Sequence, residues 1–204
     1  MNVNNLPFNW FDLVILGFLL VGFRRGRKQG FSVELVAMLT WLGIIFGCAY
    51  AYEPLGLQIA RSAASGKLLG YVAAYVLGAL VIASLFGLLK KSLGGKLLGS
   101  DVFGRGEFYL GMFAGVVRFA CILVAALALL NARSYTTAEV KAQLKFQDEN
   151  FGSNFFPTLH TVQSEVFERS LAGRWVKKEL AFLLIKPTAP DQNQPPQQKE
   201  FAMP

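Results

Sequence analysis

The sequence predicts an all-α membrane protein with four transmembrane helices in a compact bundle, followed by short amphipathic helices. Of the 204 residues, 53% are hydrophobic and only 16% are charged, whereas soluble domains carry about 25% charged residues. The charges fall in short clusters that leave uncharged runs of 18 to 23 residues, broken at most once. Runs of that length can cross a hydrocarbon core of about 30 Å as helices.

Three of the four spans are strongly indicated. Residues 35–52 and 68–89 carry no charge, and residues 108–130 are interrupted only by Arg118. The first span is weaker, because it is uncharged only over residues 13–23 and reaches back to residue 6 only if Asp12 is included. Basic residues follow this run and none precedes it, which is the reverse of a signal peptide. We therefore expect an uncleaved helix and a four-helix domain over residues 6–130.

The distribution of basic residues predicts the topology. Residues 24–30 and 90–107 each contain four Lys or Arg, residues 53–67 contain two, and the segment before the first span contains none. Cytoplasmic loops are enriched in Lys and Arg. The two richer segments are therefore expected in the cytoplasm, with both termini outside it. Because the net charge of +7 is concentrated between apolar spans, we expect no nucleic-acid partner.

The region after the spans changes character. Residues 131–186 are predicted to form amphipathic helices, with a helical pattern over 158–185 that breaks at Gly173. Residues 174–185 are too short to span a bilayer, so we expect them to lie on its surface with Trp175 among the headgroups. Residues 187–204 are rich in Pro and Gln and are predicted to be a disordered tail.

Small residues recur at four-residue spacing within the later three spans. Such residues let helix backbones approach closely in lipid. One interpretation is packing of the helices within a chain, and the other is a contact with a second copy; the pattern alone does not distinguish them. The positions are Gly43 and Gly47, then Gly70, Ala74 and Gly78, and finally Gly111 and Gly115.

Three ionisable residues lie within or near the spans: Asp12, Glu34 and Arg118. Counted from the inner ends of the apolar runs, Asp12 and Arg118 are both roughly 15 Å deep, and Glu34 is only about 5 Å deep. Charges inside a membrane usually pair or face water. We therefore predict an Asp12–Arg118 pair, which either fixes helix register or forms a polar step in a path for an ion or small solute.

The sequence offers no arrangement typical of catalysis, a metal or a cofactor. His160 is the only histidine, Cys48 and Cys121 both lie in apolar spans, and no phosphate-binding or zinc motif is present. We expect a protein that is not an enzyme and that has no cofactor.

Several short motifs together resemble the colicin V production (CvpA) family of bacterial inner-membrane proteins. An acidic residue follows aromatics at Trp10-Phe11-Asp12, a glycine-bounded basic turn leads to Glu34-Leu35, and Thr40-Trp41 follows. The chain departs from the family pattern at Gln29, Glu107 and Phe119. The resemblance covers roughly residues 8–185, and its motif positions are Gly26, Gly30, Glu34, Glu107, Gly111, Gly115 and Arg118.

The resemblance implies four transmembrane helices, location in the bacterial inner membrane, and a role in production or export of the peptide toxin colicin V and in envelope homeostasis. The partners expected are the lipid bilayer and either a second copy of the chain or a protein of the export machinery. The alternative function is a small oligomeric channel or transporter that uses a polar path through Asp12 and Arg118.

Overall fold

The computed structural model describes residues 9–97, 106–152 and 157–189. Within these ranges the chain is almost entirely helical, and extended segments pair only at an isolated bridge between Arg133 and Thr188. A π-helical turn, Glu165–Arg169, joins α6 to α7, and a 3-10 turn, Ala181–Leu183, follows α7. The helices are α1 (Trp10–Gln29), α2 (Phe31–Ser62), α3 (Lys67–Leu97), α4 (Gly106–Asn131), α5 (Thr137–Phe151), α6 (Leu159–Ser164) and α7 (Leu171–Glu179).

Three helices are long and apolar enough to cross a membrane: α2, α3 over Lys67–Ser92, and α4. This confirms the helical class, and three of the predicted spans coincide with helices that have the length and composition of a membrane span. The 20-residue α1 does not qualify by the same measure, because Asp12 and a cluster of four basic residues fall within it. The segment before residue 9, where the first span was predicted to begin, lies outside the described residues.

The helix α1 continues through its basic cluster to Gln29, six residues beyond the end of its uncharged run. Its start is fixed by a capping box, in which the Asn9 side chain accepts a backbone N–H of the first turn and the Asp12 side chain accepts the N–H of Asn9. Gly30 alone separates α1 from α2 and has a φ of +75°. Glycine adopts this conformation without the strain that a Cβ would add.

The four long helices pack in the order α1–α4–α2–α3. Helix α4 lies between α1 and α2, and α3 makes its main helix contact with α2. We call the end of this row that holds Gly30 the turn end, and the opposite end, where α4 finishes, the cap end.

The small residues of α2 and α3 lie at the contact between these two helices. A Cβ added to Gly47 would meet the side chain of Ile82 at 2.8 Å, and one added to Gly43 would meet Phe86 at 3.3 Å. Gly70 lies against the backbone of Gly56. Gly78 faces the sulfur of Cys48, and Ala74 is buried nearby. These predicted packing positions therefore serve a contact within one chain.

Residues 158–188 fold back over the cap end, and we call them the C-terminal cap. Val166, Phe167 and Ile185 are buried in a core that they share with Tyr52 of α2 and Ala128 of α4. The buried side chains of the segment thus cover the helix ends, and its position on the membrane surface stays a prediction. Trp175 remains exposed.

The break in the cap lies at Ser170 rather than at the predicted Gly173. Ser170 is extended, with ψ of 142°, and its side chain caps α7 by accepting the N–H of Gly173. Gly173 lies inside α7, against the backbone carbonyl of Val166, where no side chain would fit. The glycine therefore permits a close contact between helical segments and does not end one.

The cap ends in backbone pairing with the loop after α4. Thr188 donates its N–H to the Ala132 carbonyl at 2.8 Å and accepts the Ser134 N–H at 3.1 Å. The first residues of the predicted tail are thus hydrogen-bonded. Residues 190–204, the rest of that tail, lie outside the described residues.

Candidate functional site

The helices α1 and α4 touch through glycine backbones. A Cβ added to Gly22 would lie 2.8 Å from the Gly115 carbonyl oxygen, and one added to Gly111 would lie 2.6 Å from that of Gly26. Any larger side chain would force the helices apart. Gly22 was not predicted as a packing position, although Gly22 and Gly26 form a GxxxG motif. Two arginines lie between these glycines, whereas such packing motifs are expected within apolar spans.

This contact sets the register of α1 on α4, and the predicted Asp12–Arg118 pair is not formed. The two helices run antiparallel, with Gly22 opposite Gly115 and Gly26 opposite Gly111. Asp12 lies ten residues from Gly22 towards the cap end, whereas Arg118 lies only three from Gly115. The two residues are therefore about seven residues apart along the axis, or roughly 10 Å.

Arg118 instead pairs with Glu34, with 3.0 Å between Nη1 and Oε2. The Glu34 side chain is completely buried, and that of Arg118 is 21% exposed. Both α2 and α4 begin at the turn end, and helical side chains lean towards the start of their helix. Arg118 can therefore reach back to Glu34, although it starts further along its own helix.

The ion pair consists of a single hydrogen bond. Within the described residues, Glu34 Oε1 and Arg118 Nε are buried without a hydrogen-bond partner. Arg118 also approaches the ring of Phe119, at 6.0 Å from its centroid. Phe119 packs on Phe18 of α1 with ring centroids 4.8 Å apart. This side chain thus adds an aromatic contact between α1 and α4.

Glu107, at the start of α4, supports the turn between α1 and α2. Its Oε1 accepts the Ser32 N–H at 3.4 Å, and a Cβ on Gly30 would lie 3.1 Å from the same oxygen. A carboxylate is favourable at the start of α2, where backbone N–H groups point outward. The structure therefore brings all the family-motif positions to one place, which we call the turn site: Gly26, Gly30, Glu34, Glu107, Gly111, Gly115 and Arg118.

Asp12 has a different role, because it binds the C-terminal cap. Its Oδ1 accepts the Ser170 hydroxyl at 2.7 Å and the Ala172 N–H at 3.0 Å, and its Oδ2 accepts the Leu171 N–H at 3.2 Å. The carboxylate thus lies at the N-terminus of α7, where the helix dipole favours a negative charge. Asn9 adds hydrogen bonds to the backbone and side chain of Glu165.

The cap is also hydrogen-bonded to α2 and α4. Asn131 donates to the Ile185 carbonyl at 2.9 Å, and the Tyr52 hydroxyl accepts the Lys186 N–H at 3.2 Å. The Lys186 ammonium lies 2.8 Å from a Glu53 oxygen. This hydrogen bond raises the pKa of Lys186. The cap therefore joins three long helices at one end.

No group of three or more potential metal ligands occurs in the described part of the chain. His160 packs edge-on against Tyr135, with ring centroids 5.4 Å apart. Cys48 and Cys121 are buried as free thiols. The buried charges of the turn site and the carboxylate of Asp12 are engaged in contacts between helices, so these arrangements position segments of the chain.

The family model described as Colicin V production protein matches residues 11–147. This range includes every position of the turn site and ends before the C-terminal cap. No curated protein and no solved structure matches the chain. Since the match covers more than half of the sequence and the three candidate spans, the chain is a membrane protein that belongs to the Colicin V production protein family.

Proposed function

We propose that this protein is a non-catalytic accessory protein of the bacterial inner membrane, which supports production or export of colicin V and envelope homeostasis. Family membership supports this role. The observation that carries it is the turn site, whose buried Glu34 carboxylate is held by Arg118 between α2 and α4. Its charged groups serve contacts between helices, and we assign them no reaction, cofactor or metal.

We further propose that α1 is a fourth transmembrane helix. Its glycine face packs along α4, itself a membrane span, while Leu13, Leu16 and Leu20 are more than half exposed on its other sides. Lipid would cover these leucines, and the basic residues of α1 would meet the headgroups at the turn end. This placement supports a cytoplasmic turn end, with the N-terminus and the C-terminal cap outside the cytoplasm.

The proposed partners are the bilayer and a protein, either a second copy of the chain or a member of the export machinery. Helix α3 packs mainly on α2 and leaves Leu80, Leu85 and Leu88 more than half exposed, so either lipid or a helix of a partner would cover this face. The alternative of a channel with a path through Asp12 and Arg118 is not supported by any contact between these residues. Asp12 binds the cap and Arg118 binds Glu34.

The accessory role can be tested in a host that carries the colicin V operon and lacks its own family member. Three chains would be compared: the wild type, Arg118→Ala, and the double variant Glu34→Leu/Arg118→Leu, in which leucines replace the ion pair. Secreted toxin activity, the amount of protein in the membrane and thermal stability in detergent would be measured for each chain.

We expect secretion to follow the amount of folded protein, so that the double variant secretes more toxin than Arg118→Ala. A double variant that is as abundant and stable as the wild type but secretes no toxin would contradict the structural role of the pair. A wild-type chain that is abundant in the membrane but restores no secretion would contradict the role in toxin production.

A further inference from the structure

An open groove lies between α1 and α4 near the turn end, with a volume of about 1450 Å³. Leu20 and Val21 of α1 form one apolar side, and Phe108 and Met112 of α4 form the other. Four basic residues of α1 line the same groove: Arg24, Arg25, Arg27 and Lys28. The groove thus combines apolar walls with a concentrated positive charge.

The four basic side chains are exposed and make no ion pair or hydrogen bond with any other residue that the structure describes. The two acidic residues of the turn site do not neutralise them. Glu34 is buried against Arg118, and Glu107 directs an oxygen at the start of α2. The groove therefore carries a charge of about +4 that is available to an anion.

We propose that this groove binds an anionic diacyl phospholipid, with its phosphate at the basic residues and an acyl chain along the apolar walls. Guanidinium groups bind phosphate oxygens through paired, charge-assisted hydrogen bonds. Basic clusters beside a membrane span are attracted to anionic lipids. The apolar walls favour a lipid over free phosphate, because a soluble anion would leave them uncovered. This proposal rests on the membrane placement of α1 proposed above.

The test uses purified full-length protein in detergent. Binding of dioleoyl phosphatidylglycerol would be measured by native mass spectrometry and by the rise in melting temperature, with dioleoyl phosphatidylcholine as the neutral reference. Arg24→Gln/Arg27→Gln removes two charges from the groove. Lys90→Gln/Lys91→Gln removes two exposed charges from α3, outside the groove, and is the matched control. Both variants keep basic residues in the segment that they change, so the enrichment of Lys and Arg that orients the helices in the membrane is retained.

We expect phosphatidylglycerol to bind the groove variant roughly 30-fold more weakly than the wild type, from about 1 kcal/mol for each basic residue. The control variant should bind the lipid like the wild type. The affinity of Arg24→Lys/Arg27→Lys should fall between those of the wild type and the groove variant, because lysine keeps the charge but cannot form the paired hydrogen bonds of a guanidinium group. Equal losses in the groove and control variants would overturn the proposal, since they would indicate attraction to net charge alone. Unchanged binding in the groove variant would also overturn it.

Two further measurements test the chemical class of the ligand and the membrane placement of α1 independently. Inorganic phosphate or glycerophosphoglycerol that raises the melting temperature as much as the lipid would overturn the assignment to a diacyl ligand. In native membranes, a Leu16→Cys variant that is labelled by a water-soluble maleimide would exclude α1 from the bilayer and overturn the proposal. Loss of the toxin-secretion phenotype alone, measured in cells, would concern the accessory role and leave the lipid result standing.

Discussion

The carboxylate of Glu34 is the most completely enclosed charge in the described part of the chain, and its single hydrogen bond comes from Arg118. Burying an ion costs several kcal/mol, and its partner offsets this cost only while the pair is intact. The pair therefore makes the position of α4 on α2 specific, because a shift of either helix would separate the two charges.

Replacing Arg118 with Ala should lower the free energy of unfolding by about 3–5 kcal/mol, because it leaves the Glu34 carboxylate buried and unpaired. The double variant Glu34→Leu/Arg118→Leu should recover most of this loss. Denaturant titration in detergent micelles would measure both effects. As a control, Arg169→Ala removes an exposed ion pair with Glu165 and should cost less than about 1 kcal/mol. Similar losses in Arg118→Ala and Arg169→Ala would contradict this interpretation of the buried pair.

Glycine positions in α1 allow a second comparison. A Cβ on Gly26 would collide with the Gly111 backbone, whereas one on Gly17 would meet no atom within 4 Å. Gly26→Ala should therefore destabilise the protein by about 1–3 kcal/mol, the usual range for overpacking, and Gly17→Ala should not destabilise it. Melting temperatures in one detergent would measure the difference. If both variants lost the same stability, the glycine contact between α1 and α4 would be refuted.

At the scale of single elements, the apolar runs predicted α2, α3 and α4 but gave the wrong register for α1. The depth of Asp12 was counted from Phe23, the end of the uncharged run, yet α1 continues to Gln29. A helix need not end where its apolar residues end, because long basic side chains can extend it into the headgroup region. Register depends on which backbones touch, and hydropathy does not report that contact.

The docking position of the C-terminal cap is a second feature that could not be predicted from the sequence. The pattern over residues 158–185 indicated an apolar helical face, and the structure does bury Val166 and Phe167. An apolar face can bind a membrane surface or the end of a bundle equally well, so periodicity could not choose between them. The deciding contacts are polar and distant in sequence, such as Asp12 with Ser170 and Asn131 with Ile185.

Asp12→Asn should loosen the cap, because the neutral amide loses the charge that binds the start of α7. Hydrogen bonds to charged groups contribute about 1.5–3 kcal/mol, so backbone amides of residues 157–189 should exchange with deuterium roughly ten-fold faster or more. Hydrogen exchange with mass spectrometry would detect this effect. Glu168→Gln is the matched control, since it removes an exposed charge from the same region. Unchanged exchange in Asp12→Asn would contradict the role assigned to this carboxylate.

At the scale of the whole molecule, the packing order places α1 and α3 on opposite sides of the α4–α2 pair. The sequence predicted a compact bundle, but charge-free runs contain no information about which helices become neighbours. That order follows from particular contacts, such as Gly26 with Gly111 and Gly56 with Gly70. Each contact requires residues that are small on both helices.

The proposed topology predicts which positions reagents can reach. In a background with Cys48→Ala and Cys121→Ala, a membrane-impermeant maleimide should label Ser62→Cys and Lys141→Cys in intact cells. Lys91→Cys should react only after the membrane is permeabilised, because it lies near the turn end of α3. Gel-shift of the labelled protein would measure the reaction. Labelling of Lys91→Cys in intact cells, with protection of Lys141→Cys, would reverse the proposed orientation.

The contacts between Asn9 or Asp12 and the C-terminal cap join residues more than 150 positions apart. During synthesis, the partners of Asp12 are therefore made only after α1 to α4 have emerged. The start of α1 must remain without its final contacts for most of translation. These contacts form only in a chain whose later helices have already been made. A chain that stalls before Ser170 would keep Asp12 without its partners in the cap, so only a chain made past that point can complete the contact.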